Sequence, residues 1–196
     1  MNKFLELNNI SKTFETSKKI KVIKKLSYNF KKGNIYSLMG PSGSGKSTLL
    51  NIISLIDKPT NGFVKFNNQQ INYDKKEQND QFRAKKIGIV YQQDNLLPDF
   101  TSLENIYLAS LSINNNKDLA ISKAKQLLKK IGLFSRADHY PSQLSGGEAQ
   151  RIAIARAIIN DPEIILADEP TGSLDMKTAK IIFNLLKDQK RSDRLI

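Results

Sequence analysis

Apolar residues fall into short continuous runs and into stripes of helical period. Ile35-Tyr36-Ser37-Leu38-Met39, Ile87-Gly88-Ile89-Val90-Tyr91 and Ile164-Ile165-Leu166-Ala167 are compact and rich in β-forming residues. Runs of this kind suit parallel strands covered on both faces. After the first run, 46–56 reads as a helix rich in Leu and Ile. Between the second and third runs the period lengthens, so that 103–111 and 118–131 predict helices. The latter carries Ala124, Leu127, Leu128 and Ile131 on one stripe, with Gly132 as its stop. Further helices are predicted at 148–160, closed by Asp161-Pro162, and at 177–188. The pattern is an α/β core split by a helical insertion, with core segments at about 1–93 and 160–196 and helices at about 94–159, all within one domain of 196 residues.

Composition narrows the chemistry. With no cysteine and a single histidine, the chain has no disulfide framework, thiol nucleophile or Cys/His zinc site. No run approaches the ~18 apolar residues of a membrane span, and the N-terminus lacks a signal-peptide core, so a cytoplasmic location is expected. The net charge of +12 rests on 25 Lys against only 6 Arg. Eight of the lysines lie between Lys12 and Lys32, where Glu15 is the only acid. That segment is either a solvated surface or a patch for an anionic partner or membrane. Arginine forks with interleaved aromatics are not prominent, so nucleic acid is not expected as a partner.

The chemistry sits in the loops. Gly40-Pro41-Ser42-Gly43-Ser44-Gly45-Lys46-Ser47-Thr48 fits G-x-x-x-x-G-K-[ST]. Phosphates need closely spaced backbone N–H donors that side chains would obstruct, which is the use of the glycines. The helix that follows adds its positive end, Lys46 a point charge for the β/γ-phosphates, and Ser47 a hydroxyl for Mg²⁺. Nucleotide binding is therefore expected. The third apolar run ends in Asp168 and Glu169. At the carboxyl end of a parallel strand, Asp168 is placed to hold Mg²⁺, and Glu169 to orient or deprotonate an attacking water.

Leu144-Ser145-Gly146-Gly147-Glu148, followed by Gln150-Arg151-Ile152-Ala153-Ile154-Ala155-Arg156-Ala157, resembles the signature motif of ABC ATPases. Ser145, Gly146 and Gly147 open a helix and so make a second anion-binding start. The resemblance spans essentially the whole chain. It implies a P-loop NTPase with a RecA-like parallel-sheet core and an inserted helical subdomain, binding ATP with Mg²⁺. It also implies a head-to-tail homodimer in which the signature of one subunit closes over the ATP of the other, and integral membrane permease partners. Residue by residue, Gln92 matches the Q-loop glutamine, which in the family touches Mg²⁺, with Gln93 its neighbour. Ser173-Leu174-Asp175 matches the D-loop, and Phe14 stands where the family stacks an aromatic under adenine. Asn95 to Asn105, Pro59-Thr60-Asn61-Gly62, His139 to Gln143 and Asp168 to Gly172 are similar to the LolD-like branch. That branch powers lipoprotein release at the cytoplasmic face of the bacterial inner membrane; the MacB efflux and FtsE cell-division ATPases share much of these segments.

One departure stands out. The family carries a switch histidine on the strand after the D-loop helix, and His139 lies before the signature, so it is not that residue. Against the family pattern the chain is expected to be C-terminally incomplete. The open readings are a fragment or a reduced ATPase that binds ATP with impaired hydrolysis.

Overall fold

The computed structural model describes residues 4–15 and 19–196. The chain forms two compact units, one running to Asp80 with Arg191–Leu195 added, the other comprising Gln81–Lys190 and Ile196.

The first unit is built on an antiparallel sheet of order β2-β1-β3-β4, from β1 (Leu5–Glu15), β2 (Lys19–Phe30), β3 (Asn61–Phe66) and β4 (Gln69–Gln70). Leu5, Leu7 and Ile10 of β1 are buried, as are Val64 and Phe66 of β3 and Leu49, Ile52 and Ile53 of helix α1 (Lys46–Ile53). The register of β1 with β2 shifts between Leu7 and Ile10, where Asn9 takes a φ of 49°. An extra residue leaves ladder groups unpaired, and serines take up two of them. The Asn9 N–H donates to Ser27 Oγ (2.8 Å) and the Lys25 N–H to Ser11 Oγ (3.1 Å). Gly62, at φ 85°, passes so close to the Asn8 carbonyl that any Cβ would overlap it. Asn67 and Asn68 both have positive φ, which makes the β3–β4 link a two-residue hairpin of type I′. Lys12 is buried: its ammonium meets Asp57 Oδ1 at 2.6 Å and the Lys58 carbonyl at 2.9 Å.

The first apolar run departs from expectation. Residues 35–39 are irregular, and Ile35, Leu38 and Met39 are exposed. A strand exists only where a neighbour supplies its hydrogen-bond ladder, and this segment belongs to neither sheet. Helix α1 also stops at Ile53 rather than near 56, because Leu55 adopts a φ of 62° and ends the helical path.

The second unit holds the parallel pair β5 (Ile87–Val90) and β6 (Ile164–Ala167), in register from Ile87 opposite Ile164 to Val90 opposite Ala167. Helices α3 (Ser102–Leu111), α4 (Lys117–Lys130), α5 (Gly146–Ile158) and α6 (Met176–Lys187) fall within two residues of the predicted positions. Helix α2 (Lys76–Lys86), in which the division between the units falls, carries no apolar stripe. Ile106, Ala124, Leu128, Ile152 and Ala155 form one core among α3, α4 and α5. Val90, Ile154, Ile158, Ile165 and Ile182 form a second among the strands, α5 and α6. Gly88 lets α5 lie directly on β5, since a Cβ there would overlap the Ala157 carbonyl. Gly132, at φ 71°, ends α4 as expected: its N–H donates to the Lys129 carbonyl and that of Leu133 to Leu128.

Candidate functional site

In the first unit the phosphate loop wraps the start of α1. Gly43 and Gly45 take φ values of 76° and 94°, a region that side-chain-bearing residues enter only at a cost. Gly45 is constrained further, because a Cβ would stand 2.8 Å from Val22 Cγ1 of β2. No side chain caps α1, so its first turn offers backbone N–H groups to an anion. Lys46 Nζ reaches back to the carbonyls of Gly40 (3.0 Å) and Pro41 (3.1 Å), which places its charge over the loop. Pro41, Ser42, Ser44 and Ser47 are exposed, and Thr48 is half-buried. Phe14, near the end of β1, is 39% exposed, with Lys12 Nζ 4.9 Å from its ring centroid.

In the second unit the acidic pair follows β6. The Asp168 N–H donates to the Val90 carbonyl (2.9 Å), which carries the β5–β6 ladder one residue beyond the strand. Glu169 is exposed and sits at φ 46°, a left-handed conformation that a glutamate holds only when its surroundings enforce it. The Gly172 N–H closes that turn on the Glu169 carbonyl (3.0 Å). Gln92, two residues past β5, lies against the same turn: a Cβ on Gly172 would stand 3.0 Å from Gln92 Nε2. Gln92, Gln93, Gly146, Gln150 and Ser173 are among the residues lining a cleft of about 390 Å³.

The predicted signature opens α5. Ser145 is its N-cap: the hydroxyl accepts from the Glu148 N–H (3.3 Å), while Glu148 Oε2 accepts from the Ser145 N–H (2.8 Å). Arg136 Nε donates to Glu148 Oε1 (3.0 Å), and Arg136 Nη1 lies 3.1 Å from His139 Nε2. The Ser145 backbone bond and then Arg136 hold the Glu148 carboxyl down at about 2. Asp175 caps α6 through the N–H groups of Lys177 (2.9 Å) and Thr178 (3.0 Å) and accepts from the Thr178 hydroxyl (2.6 Å). These bonds, led by the Thr178 hydroxyl, lower its pKa. Gly147 faces the same threonine, and a Cβ there would overlap Thr178 Cγ2.

Sequence reasoning missed several of these groups. Arg136, Gln150 and Arg156 bond to residues brought near by folding, and only Gln150 and Arg156 stood inside a recognised motif; Thr178 bonds locally to Asp175. Among the described residues no group of three or more His, Cys, Asp or Glu forms a metal cluster. Ser47 of the first unit, and Gln92 and Asp168 of the second, each carry an oxygen of the hard type that Mg²⁺ prefers.

Residues 23–172 match the ABC transporter family. The lipoprotein-releasing system ATP-binding protein LolD of Rickettsia bellii is 45% identical over 197 residues, covering 100% of this chain and 87% of the relative. That of Cytophaga hutchinsonii is 41% identical, covering 98% and 86%. Among solved structures, the dimeric ATP-binding cassette MJ0796 in a post-hydrolysis state, bound to ADP and Pi, superposes with a TM-score of 0.89 at 42% identity, over 97% of this chain and 85% of its own. CbiO1 from Clostridium perfringens, part of the transporter complex cbiONQ, gives 0.84 at 27% identity, over 100% and 77%.

Proposed function

This chain belongs to the ABC transporter family and is an ATPase subunit of it, and we propose that it powers the release of lipoproteins from the bacterial inner membrane. The cargo follows from the two LolD proteins, which are similar along nearly the whole chain. The observation that carries the nucleotide chemistry is the phosphate loop, where two left-handed glycines lead into a helix with no side-chain cap.

In the reaction, the phosphate-loop amides and Lys46 hold the β- and γ-phosphates and balance their charge. Phe14 stacks on the adenine. Ser47, Gln92 and Asp168 would hold Mg²⁺, which when bound supplies further positive charge beside the phosphates. Glu169 orients the attacking water and takes its proton. The water oxygen bonds to the γ-phosphorus as the bond to the β-phosphate bridging oxygen breaks, giving ADP and phosphate. Ser145, Gly146 and Gly147 present the start of α5 to the ATP of a second copy, and Asp175 lies at that interface, so two nucleotides are enclosed head to tail. Closing and reopening of this dimer moves permease subunits, against which the chain sits peripherally on the cytoplasmic face of the membrane. No helix among the described residues is long and apolar enough to cross it.

Lys46→Ala tests the reading. Binding of a fluorescent ATP analogue is expected to weaken more than about tenfold, with phosphate release lost; turnover at the wild-type rate would contradict it.

A further inference from the structure

We infer that Gln150 and Arg156 are positioning residues that clamp the chain on either side of Gln92 to helix α5. The Gln150 amide, 3% exposed, donates from Nε2 to the Tyr91 carbonyl at 2.9 Å. The Arg156 guanidinium donates from Nη2 to the Asp94 carbonyl (2.7 Å) and from Nη1 to the Asn95 carbonyl (2.8 Å). Segment 91–95 is thus pinned at both ends, by side chains six residues and roughly 9 Å apart along one helix. All three bonds go to main-chain carbonyls, so they fix the path of the loop and leave the side chains of Gln92 and Gln93 free to line the cleft.

The chemistry of the two clamps fits this use. Arg156 spans adjacent carbonyls with a rigid planar fork, which a lysine cannot reproduce. Burial lowers its pKa and the nearby Asp94 opposes that, the balance of a guanidinium committed to partners inside the protein. The same helix begins at Ser145-Gly146-Gly147. The helix that offers its start to a second nucleotide therefore also sets where Gln92 sits beside the Glu169–Gly172 turn. This assignment rests on the ATPase reading and adds two residues that act through Gln92.

The test uses the full chain with Gln150→Glu, which keeps the shape but puts an acceptor against the Tyr91 carbonyl, and with Arg156→Gln and Arg156→Lys. Folding is checked by thermal melting. The expected result is a kcat lowered about tenfold for Gln150→Glu and Arg156→Gln, as for other groups that orient a ligand-bearing residue. The KM for ATP stays within about twofold and the Mg²⁺ concentration for half-maximal turnover rises; Arg156→Lys recovers part of the loss. Amide hydrogen exchange over 91–95 reads the clamp without reference to turnover, and is expected to quicken there while α4 stays unchanged. Folded variants with unaltered exchange at 91–95, or with kcat and nucleotide binding falling together, would overturn the inference. A wild-type chain that neither binds nor hydrolyses ATP would instead contradict the ATPase reading, with exchange still deciding the clamp.

Discussion

Gly147 shows how a single position answers to two demands. In the proposed dimer the motif's glycine stands where a helix start approaches phosphate. The structure adds that a Cβ there would overlap the Thr178 methyl, while the Thr178 hydroxyl is held by Asp175. The two demands separate by substitution. Gly147→Ala is expected to cost about 1–3 kcal/mol of stability by overpacking, read from the urea midpoint. Adding Thr178→Ser removes the methyl, keeps the hydroxyl and should restore the midpoint. Turnover should stay low in the double variant, because the phosphate approach is still obstructed; full recovery of turnover would show that packing alone requires the glycine. Glu169 is the other telling residue. Its left-handed φ of 46° places strain on the group assigned to the water, and nothing in Asp-Glu-Pro as a string announces it.

At the scale of elements, α5 is anchored at its first turn. Its capping box needs only an acceptor oxygen on Glu148, whereas the Arg136 ion pair needs the carboxylate ionised. A carboxyl held at about 2 in the fold and near 4.5 when unfolded contributes stability that is full above the unfolded value and is lost as pH falls from there toward 2. Glu148→Gln keeps the box but not the charge. The wild-type advantage in melting temperature over this variant should be present at pH 6 and shrink below about 4.5; a gap independent of pH would contradict it. The elements were unevenly legible. Helices α3 to α6 and strands β5 and β6 were readable because their buried faces repeat locally, as with Ala124 and Leu128. Strands β1 to β4 were not, since the alternation of β1 breaks at Asn8-Asn9 and β2 spends its surface on lysine. Only partners far along the chain, such as Phe66 opposite Leu5, make them strands. Helix α2 buries only Asn79. The run at 35–39 misled for the opposite reason, having strand residues without a strand neighbour.

For the whole molecule, the candidate site was legible as far as it is written in consecutive residues: the phosphate loop, the acidic strand end and the signature. What holds those motifs was not, because Arg156 lies 61 and 62 residues from the carbonyls it binds. The charge divides just as unevenly. The unit that carries the phosphate loop holds 16 of the 31 basic residues but only 7 of the 19 acidic ones. Of the eight lysines noted between Lys12 and Lys32, Lys12 is an internal partner of Asp57 rather than part of a surface. As proposed, this ATPase works as an ATP-closed pair in which the signature of one copy meets the phosphate loop of the other. Glu169→Gln should retain ATP while removing the group assigned to the water. Light scattering of that variant with Mg²⁺ and ATP is predicted to show the 22.1 kDa chain doubling in mass, and returning to monomer with ADP; a chain that binds ATP yet stays monomeric would contradict the account.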